Sequence, residues 1–207
     1  MSVATPLQFH PPEAPEDQAR AGYYALLARL FYASPDAALL ESMARADEIV
    51  AGGEESALAN AWNALAAAAS AMDAEAARVE YDELFVGTGK SEVTLYASFY
   101  LVETGREKIL VQLRADLAGM GLERTERALE PEDHVAGLFD AMRYLISLGS
   151  NDVALQKQQE FFDRYIARSH EPLCAAIAAS GKSNFYKHIA RFAQAFLVVE
   201  TEAMKVF

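Results

Sequence analysis

From Tyr23 to Val199, apolar side chains recur at intervals of three and four residues. Nowhere do they alternate with polar ones in the β-branched and aromatic runs that a strand requires. Tyr23, Leu26, Leu27, Leu30 and Phe31 form the first stripe. Leu58, Trp62 and Leu65 follow in an alanine-dense stretch of high helix propensity. Ala77, Tyr81, Leu84 and Phe85 repeat the spacing, as do Leu110, Leu113 and Leu117. Val135, Leu138, Met142, Leu145 and Ile146 make the clearest stripe, closed by Gly149. Leu155, Phe162, Tyr165 and Ile166, then Phe185, Ile189, Phe192, Phe196 and Val199, complete the set. Elements that each bury one face and expose no strand edge predict an all-α globular bundle of roughly eight to ten helices.

Proline and glycine mark the joints. Pro6, Pro11, Pro12 and Pro15 crowd the start, so residues 1–15 are expected to be a flexible leader and residues 16–207 a single helical domain. Pro35, Pro131 and Pro172 each precede an apolar stripe, where a first-turn residue needs no N–H partner. Ser34, Pro35 and Asp36 read as an N-cap, N1 and a first-turn acid. Two connections exceed a tight turn, Gly87 to about Leu95 and Gly119 to Glu130, and ordered long loops are enriched in function.

Thirty acidic against eighteen basic residues leave a net charge of −12. Such a chain repels phosphate backbones and anionic lipid, so no nucleic-acid partner is expected, and the field favours a basic one. No stretch reaches the length of a membrane span, and the N-terminus lacks the basic and apolar regions of a secretory signal. One cysteine, Cys174, forms no internal disulfide and fits a reducing compartment.

Three places invite chemistry. Gly87-Thr88-Gly89-Lys90-Ser91 resembles a phosphate loop, but Leu84 stands where the first P-loop glycine belongs, and a helical pattern precedes it where a strand should. A glycine-terminated helix accounts for the same residues, and Gly87, Gly89 and Lys90 remain candidate anion or nucleotide contacts. Glu130-Pro131-Glu132-Asp133-His134 places carboxylates and an imidazole at the head of the strongest helix. With Pro131 at N1, Glu132 and Asp133 would simply complement the helix dipole, at ~0.3–1 kcal/mol each. His134 falls at the edge of the buried stripe. The aromatic cluster Tyr81, Phe85, Tyr96, Phe99 and Tyr100 reads as core or as a face that meets a partner. Ser98 lacks a nucleophile elbow and Cys174 lacks a basic neighbour. The paired Glu-x-x-His motifs of a di-metal bundle are absent too, so no enzyme, metal or cofactor is expected.

Glu80-Tyr81-Asp82-Glu83-Leu84-Phe85-Val86-Gly87, Leu95-Tyr96-Ala97-Ser98-Phe99-Tyr100 and Glu130-Pro131-Glu132-Asp133-His134, with the apolar run at Leu138 and Met142, resemble the TorD/DmsD-like cytoplasmic chaperones of molybdenum-containing oxidoreductases. Tyr23-Tyr24-Ala25-Leu26-Leu27 and Phe185-Tyr186 are weaker echoes. Many members have proline in place of Thr88, and Pro-Tyr-Glu-Ser or Pro-Trp-Glu-Ser where this chain has Leu95-Tyr96-Ala97-Ser98. The Gly-Thr-Gly-Lys-Ser-Glu-Val loop is similar to that of members associated with formate dehydrogenases.

The resemblance implies a TorD-like helical fold in the cytoplasm. It implies binding of the twin-arginine signal peptide and apo-form of a molybdoenzyme until its cofactor is inserted. Guanine-nucleotide or cofactor binding is also proposed for the family, which makes a nucleotide-binding or hydrolysing protein using the Lys90 loop the alternative function. A twin-arginine peptide carries two guanidiniums and then an apolar stretch, so its receptor needs carboxylates beside an apolar groove. On this reading Glu130 and Asp133 contact the arginines, Glu132 adds charge and His134 orients a guanidinium. Tyr81, Phe85, Tyr96, Ser98, Tyr100, Leu138 and Met142 line the rest. A monomer is expected, with exchange of the C-terminal helices across the Gly119–Glu130 connection as the alternative.

Overall fold

The three- and four-residue spacings become ten α-helices in the computed structural model, which describes residues 12, 14–49, 56–87, 89–123 and 130–206. They are α1 (Pro15–Tyr32), α2 (Ala37–Ala44), α3 (Ala57–Ala71), α4 (Ala74–Tyr81), α5 (Ser98–Leu101), α6 (Arg106–Gly119), α7 (Val135–Ser147), α8 (Asp152–Phe161), α9 (His170–Ala179) and α10 (Tyr186–Ala203). The all-α expectation holds among the described residues. Their only β-type pairing is a single bridge between Tyr96 and His134. No described helix is long and apolar enough to cross a membrane.

Helices α4 and α8 each run on into one π turn, Asp82–Val86 and Phe162–Ile166. The Gly87 N–H reaches back to the Asp82 carbonyl at 2.7 Å, and Ala167 to Phe162 at 2.9 Å. The wider turns seat Leu84, Phe162, Tyr165 and Ile166 in the interior. Such turns recur beside functional sites.

Side chains cap the helix starts, though not always where the prolines suggested. Asp36, not Ser34, is the N-cap of α2, and its carboxylate accepts from Leu39 N–H at 2.8 Å. Ser56, Asp73 and Asn151 cap α3, α4 and α8 in the same way. Helix α1 already begins at Pro15, while residues 1–11 and 13 of the expected leader lie outside the described residues. The reading of Pro131 as the first residue of α7 is corrected. The helix starts four residues later at Val135, with His134 as its cap, because Asp133–Val135 is held in backbone pairing with Leu95–Ala97. Glu132 and Asp133 are therefore not first-turn acids.

The core is built around α1 and α7. Tyr24, Leu27, Leu30 and Phe31 of α1 meet the buried stripe Leu138, Phe139, Met142 and Ile146. The Phe139 ring lies about 6 Å from both Tyr24 and Phe31. Phe192 and Phe196 of α10 stand edge-on to Tyr23, at 5.2 and 5.3 Å, and Phe192 also meets Trp62 of α3. Geometry of this kind adds to simple area burial.

Two buried carboxylates join distant parts of the chain. Glu80 accepts hydrogen bonds from the N–H groups of Asn184, Phe185 and Tyr186 at 2.8, 2.9 and 2.7 Å, so α4 supplies the anion for the N-terminus of α10. Glu200 near the end of α10 takes two bonds from the Arg20 guanidinium, at 2.8 and 3.1 Å, and one from the Tyr24 hydroxyl. Arg20 also reaches Asp17 and the amide oxygen of Gln158. Removing one member of a buried pair strands the other charge, so Arg20→Ala should lower the unfolding free energy by about 3–5 kcal/mol in urea titration. Replacing both members by well-packed apolar residues should recover most of that loss. A small effect of the single change would mean that water solvates Glu200.

Candidate functional site

The site is assembled from two segments nearly forty residues apart. The Ala97 N–H donates to the Asp133 carbonyl at 2.8 Å and the Val135 N–H to the Leu95 carbonyl at 2.9 Å. These two bonds set the Leu-Tyr-Ala-Ser segment beside the Glu-Pro-Glu-Asp-His segment. The Tyr96 hydroxyl then donates to Glu130 Oε2 at 2.7 Å, and its ring stands edge-on to the His134 imidazole at 5.7 Å. The carboxylate it serves and partial burial push the Tyr96 phenol up to about 12. Burial, then the charge of Glu130, does the same to Tyr81.

An open cavity of about 410 Å³ lies against this junction. One wall is the outward side of α7, with Gly137, Asp140, Arg143 and Tyr144. The others come from Tyr32 at the end of α1, from Leu117, Leu122 and Glu123 at and beyond the end of α6, and from Glu130, Pro131, Glu132 and His134. Four carboxylates against one guanidinium line it among the described residues, and Tyr32 is largely exposed at its rim. Glu132 pairs with Arg114 of α6 at 2.9 Å, and Asp140 with Arg143 at 3.2 Å.

His134 is buried at the junction. Its main-chain N–H closes a turn on the Pro131 carbonyl at 3.1 Å, and its Nδ1 accepts the Ala136 N–H at 3.3 Å. Burial holds its pKa below 6.5, with the negative charges of Glu130 and Asp133 opposing.

Of the residues singled out from sequence, Glu130, Glu132 and His134 line this cavity, and Tyr96 adjoins it through Glu130. Asp133 and Ser98 are buried, at 3% and 4% exposure, and line no part of it. Leu138 and Met142 are corrected as groove residues: both are fully buried against α1, because the apolar stripe of α7 faces the core and its opposite side faces the cavity. Tyr81 and Phe85 pack on Tyr186, and the Tyr81 hydroxyl donates to the carbonyls of Phe31 and Tyr32. Tyr100 is half-buried and donates to the Thr94 carbonyl, and Phe99 lies under the Arg106 guanidinium.

The glycine loop is pinned at both ends. Val93 N–H returns to the Leu84 carbonyl at 2.9 Å, and Glu92 pairs with Ser180 and Lys182. Gly87 has φ +64°, and a Cβ there would lie 2.3 Å from the Lys90 carbonyl oxygen, so only glycine fits. The loop follows a π turn rather than a strand, and Lys90 is exposed on it. Thr88 lies outside the described residues, as do residues 124–129 of the second long connection. Among the described residues no group of three His, Cys, Asp or Glu side chains is placed to hold a metal. Burial raises the Cys174 thiol to about 12, which keeps it protonated.

Fold and cavity define a class: an all-helical protein with an open, acidic, tyrosine-rimmed cavity walled by one central helix. A family model for the nitrate reductase delta subunit matches residues 52–175, well over half of the chain and including both segments of the junction. The chain belongs to that family, a family of chaperones for molybdoenzyme maturation. Among curated proteins, none matches.

Stability should report the state of His134. Unfolded, the ring takes up a proton near 6.5; folded, it does so only at lower pH. Its contribution is therefore complete above about 6.5 and is lost as the pH falls toward the folded value. Urea unfolding at pH 7.5 and pH 5.5 should show the decline, and His134→Asn, which can still cap α7, should make it shallower. An unchanged slope would mean that the ring titrates alike in both states.

Proposed function

We propose that the protein is a cytoplasmic assembly chaperone that binds the twin-arginine signal peptide of an apo-molybdoenzyme, with formate dehydrogenase the leading client, and holds it until the cofactor is in place. The observation that carries this reading is the charge of the cavity: among the described residues four carboxylates, one of them clamped by a tyrosine, beside tyrosine faces and a tightly packed helix. Guanidinium groups pair with carboxylates in bidentate geometry and stack on aromatic rings, so adjacent arginines match this lining. Membership in a family of molybdoenzyme chaperones supports a molybdoenzyme as the class of client.

Within this reading Glu130 is the first contact for an arginine, since Tyr96 fixes one of its oxygens and so orients the carboxylate. Asp133 acts from behind, through its charge and its backbone pairing. The protein works by binding, with no catalytic residue assigned.

Calorimetric titration with twin-arginine peptides, each paired with a control in which both arginines are replaced, tests the proposal. Micromolar binding to one peptide, lost in its control and weakened by salt, is expected. Glu130→Ala should weaken it by about 1–3 kcal/mol with little change in melting temperature. Binding that survives replacement of both arginines would sink the proposal.

A further inference from the structure

A second open cavity, of about 790 Å³, lies where α3 and α9 flank α10, and it shares no lining residue with the one walled by α7. The alanine-dense stretch of the sequence supplies one side of it, with Ala57, Ala61 and Ala64 of α3, and Ala175 and Ala178 of α9 supply the other. Val198 and Val199 of α10 stand beside these alanines, 46% and 49% exposed. A hollow of alanines next to a ridge of valines on the outside of a bundle is a surface suited to a partner.

Polar groups around the hollow define what that partner must offer. Glu171, in the first turn of α9, and Arg191, in the first half of α10, both line the cavity and are exposed. Neither has an ion pair among the described residues. Helices α9 and α10 touch and are joined by residues 180–185 alone, so they run antiparallel, and Glu171 lies beside the second half of α10, away from Arg191. Gln194, at the middle of α10, falls between the two charges, and its amide oxygen has no hydrogen-bond partner.

We propose that a second copy of this chain covers the groove, in a two-fold dimer whose axis passes near Gln194. A two-fold axis lays a surface on its own reversed copy, so each group must find its complement on the same patch, equally far from the axis on the other side. Here the cation and the carboxylate stand on either side of Gln194, so Arg191 of each copy meets Glu171 of the other. The Gln194 amides meet at the axis, where each brings a donor for the other's oxygen. The valine ridge of one copy fills the alanine hollow of the other, since small side chains let helices approach closely. Exposed ion pairs of this kind set register more than affinity, and a net charge of −12 on each copy opposes association at long range, so the dimer is reversible. Each copy keeps its own α9 and α10, unlike the helix exchange weighed from sequence, and none of the α7 cavity is used.

Sedimentation velocity on the full chain, over about a hundredfold range of concentration, should show a monomer–dimer equilibrium. Arg191→Glu and Glu171→Arg should each weaken the dimer at least about tenfold, because each sets like charges face to face. The double variant restores opposite charges and should return to within about threefold of wild type. Both positions are exposed, so helix content and melting of the dilute, monomeric variants should match wild type. A chain that stays monomeric throughout the range would overturn the proposal, as would a double variant that stays weak. A dimer indifferent to the single changes would also overturn it, and would point to exchange of the C-terminal helices instead.

Discussion

The Glu80 carboxylate holds the N-terminus of α10, and the rest of the molecule is arranged around that grip. Three main-chain N–H groups at Asn184, Phe185 and Tyr186 converge on it, buried from water. A helix end that would otherwise leave donors unsatisfied in the interior is matched by an anion from α4, a hundred residues earlier. With α10 placed, Tyr186 is delivered to Tyr81 and Phe85, and its hydroxyl donates to the Leu30 carbonyl at the end of α1. The opposite end of α10 is held to α1 by Arg20 and Glu200. Both ends of the last helix are thus tied to the first half of the chain by charge, and Phe192 and Phe196 supply the apolar contact between them.

The cavity inherits this order. Helix α7 lies along α1, and the Tyr81 hydroxyl secures the turn at Phe31 and Tyr32. Tyr32 at the rim, Glu130 across from it and the α7 wall are therefore placed by contacts that belong to the core. The two backbone bonds between Leu95–Ala97 and Asp133–Val135 add the last constraint, bringing Tyr96 within reach of Glu130.

Much of this was legible in the sequence, and the exceptions have physical reasons. The helical period located the elements because each buries one face, and the Val135–Ile146 stripe marked the central helix. Its other face went unread. Gly137, Asp140, Arg143 and Tyr144 follow the same three- and four-residue spacing, but mix small, charged and aromatic residues and so carry no hydrophobic signal. Periodicity marks Leu138 and Met142 as a buried face without saying that α1, rather than a guest, buries them. The late start of α7 was hidden because proline fits a first turn and a tight turn equally well. Glu80 and Glu200 look like surface acids until the backbone of another segment is placed against them. Tyr32, Glu123 and Leu117 enter the site through tertiary contact alone.

Helix α7 is at once the partner of α1 and the wall of the cavity, and that double duty fixes the wall. A wall whose inner face is locked into close-packed aromatic contacts has no freedom to swing without disturbing the core. On the proposed peptide-binding reading, such a wall is pre-organised, and the entropy of ordering falls on the incoming segment rather than on the host. On that reading discrimination would turn on which chain can adopt the required shape cheaply, a fitting of the guest to a fixed mould.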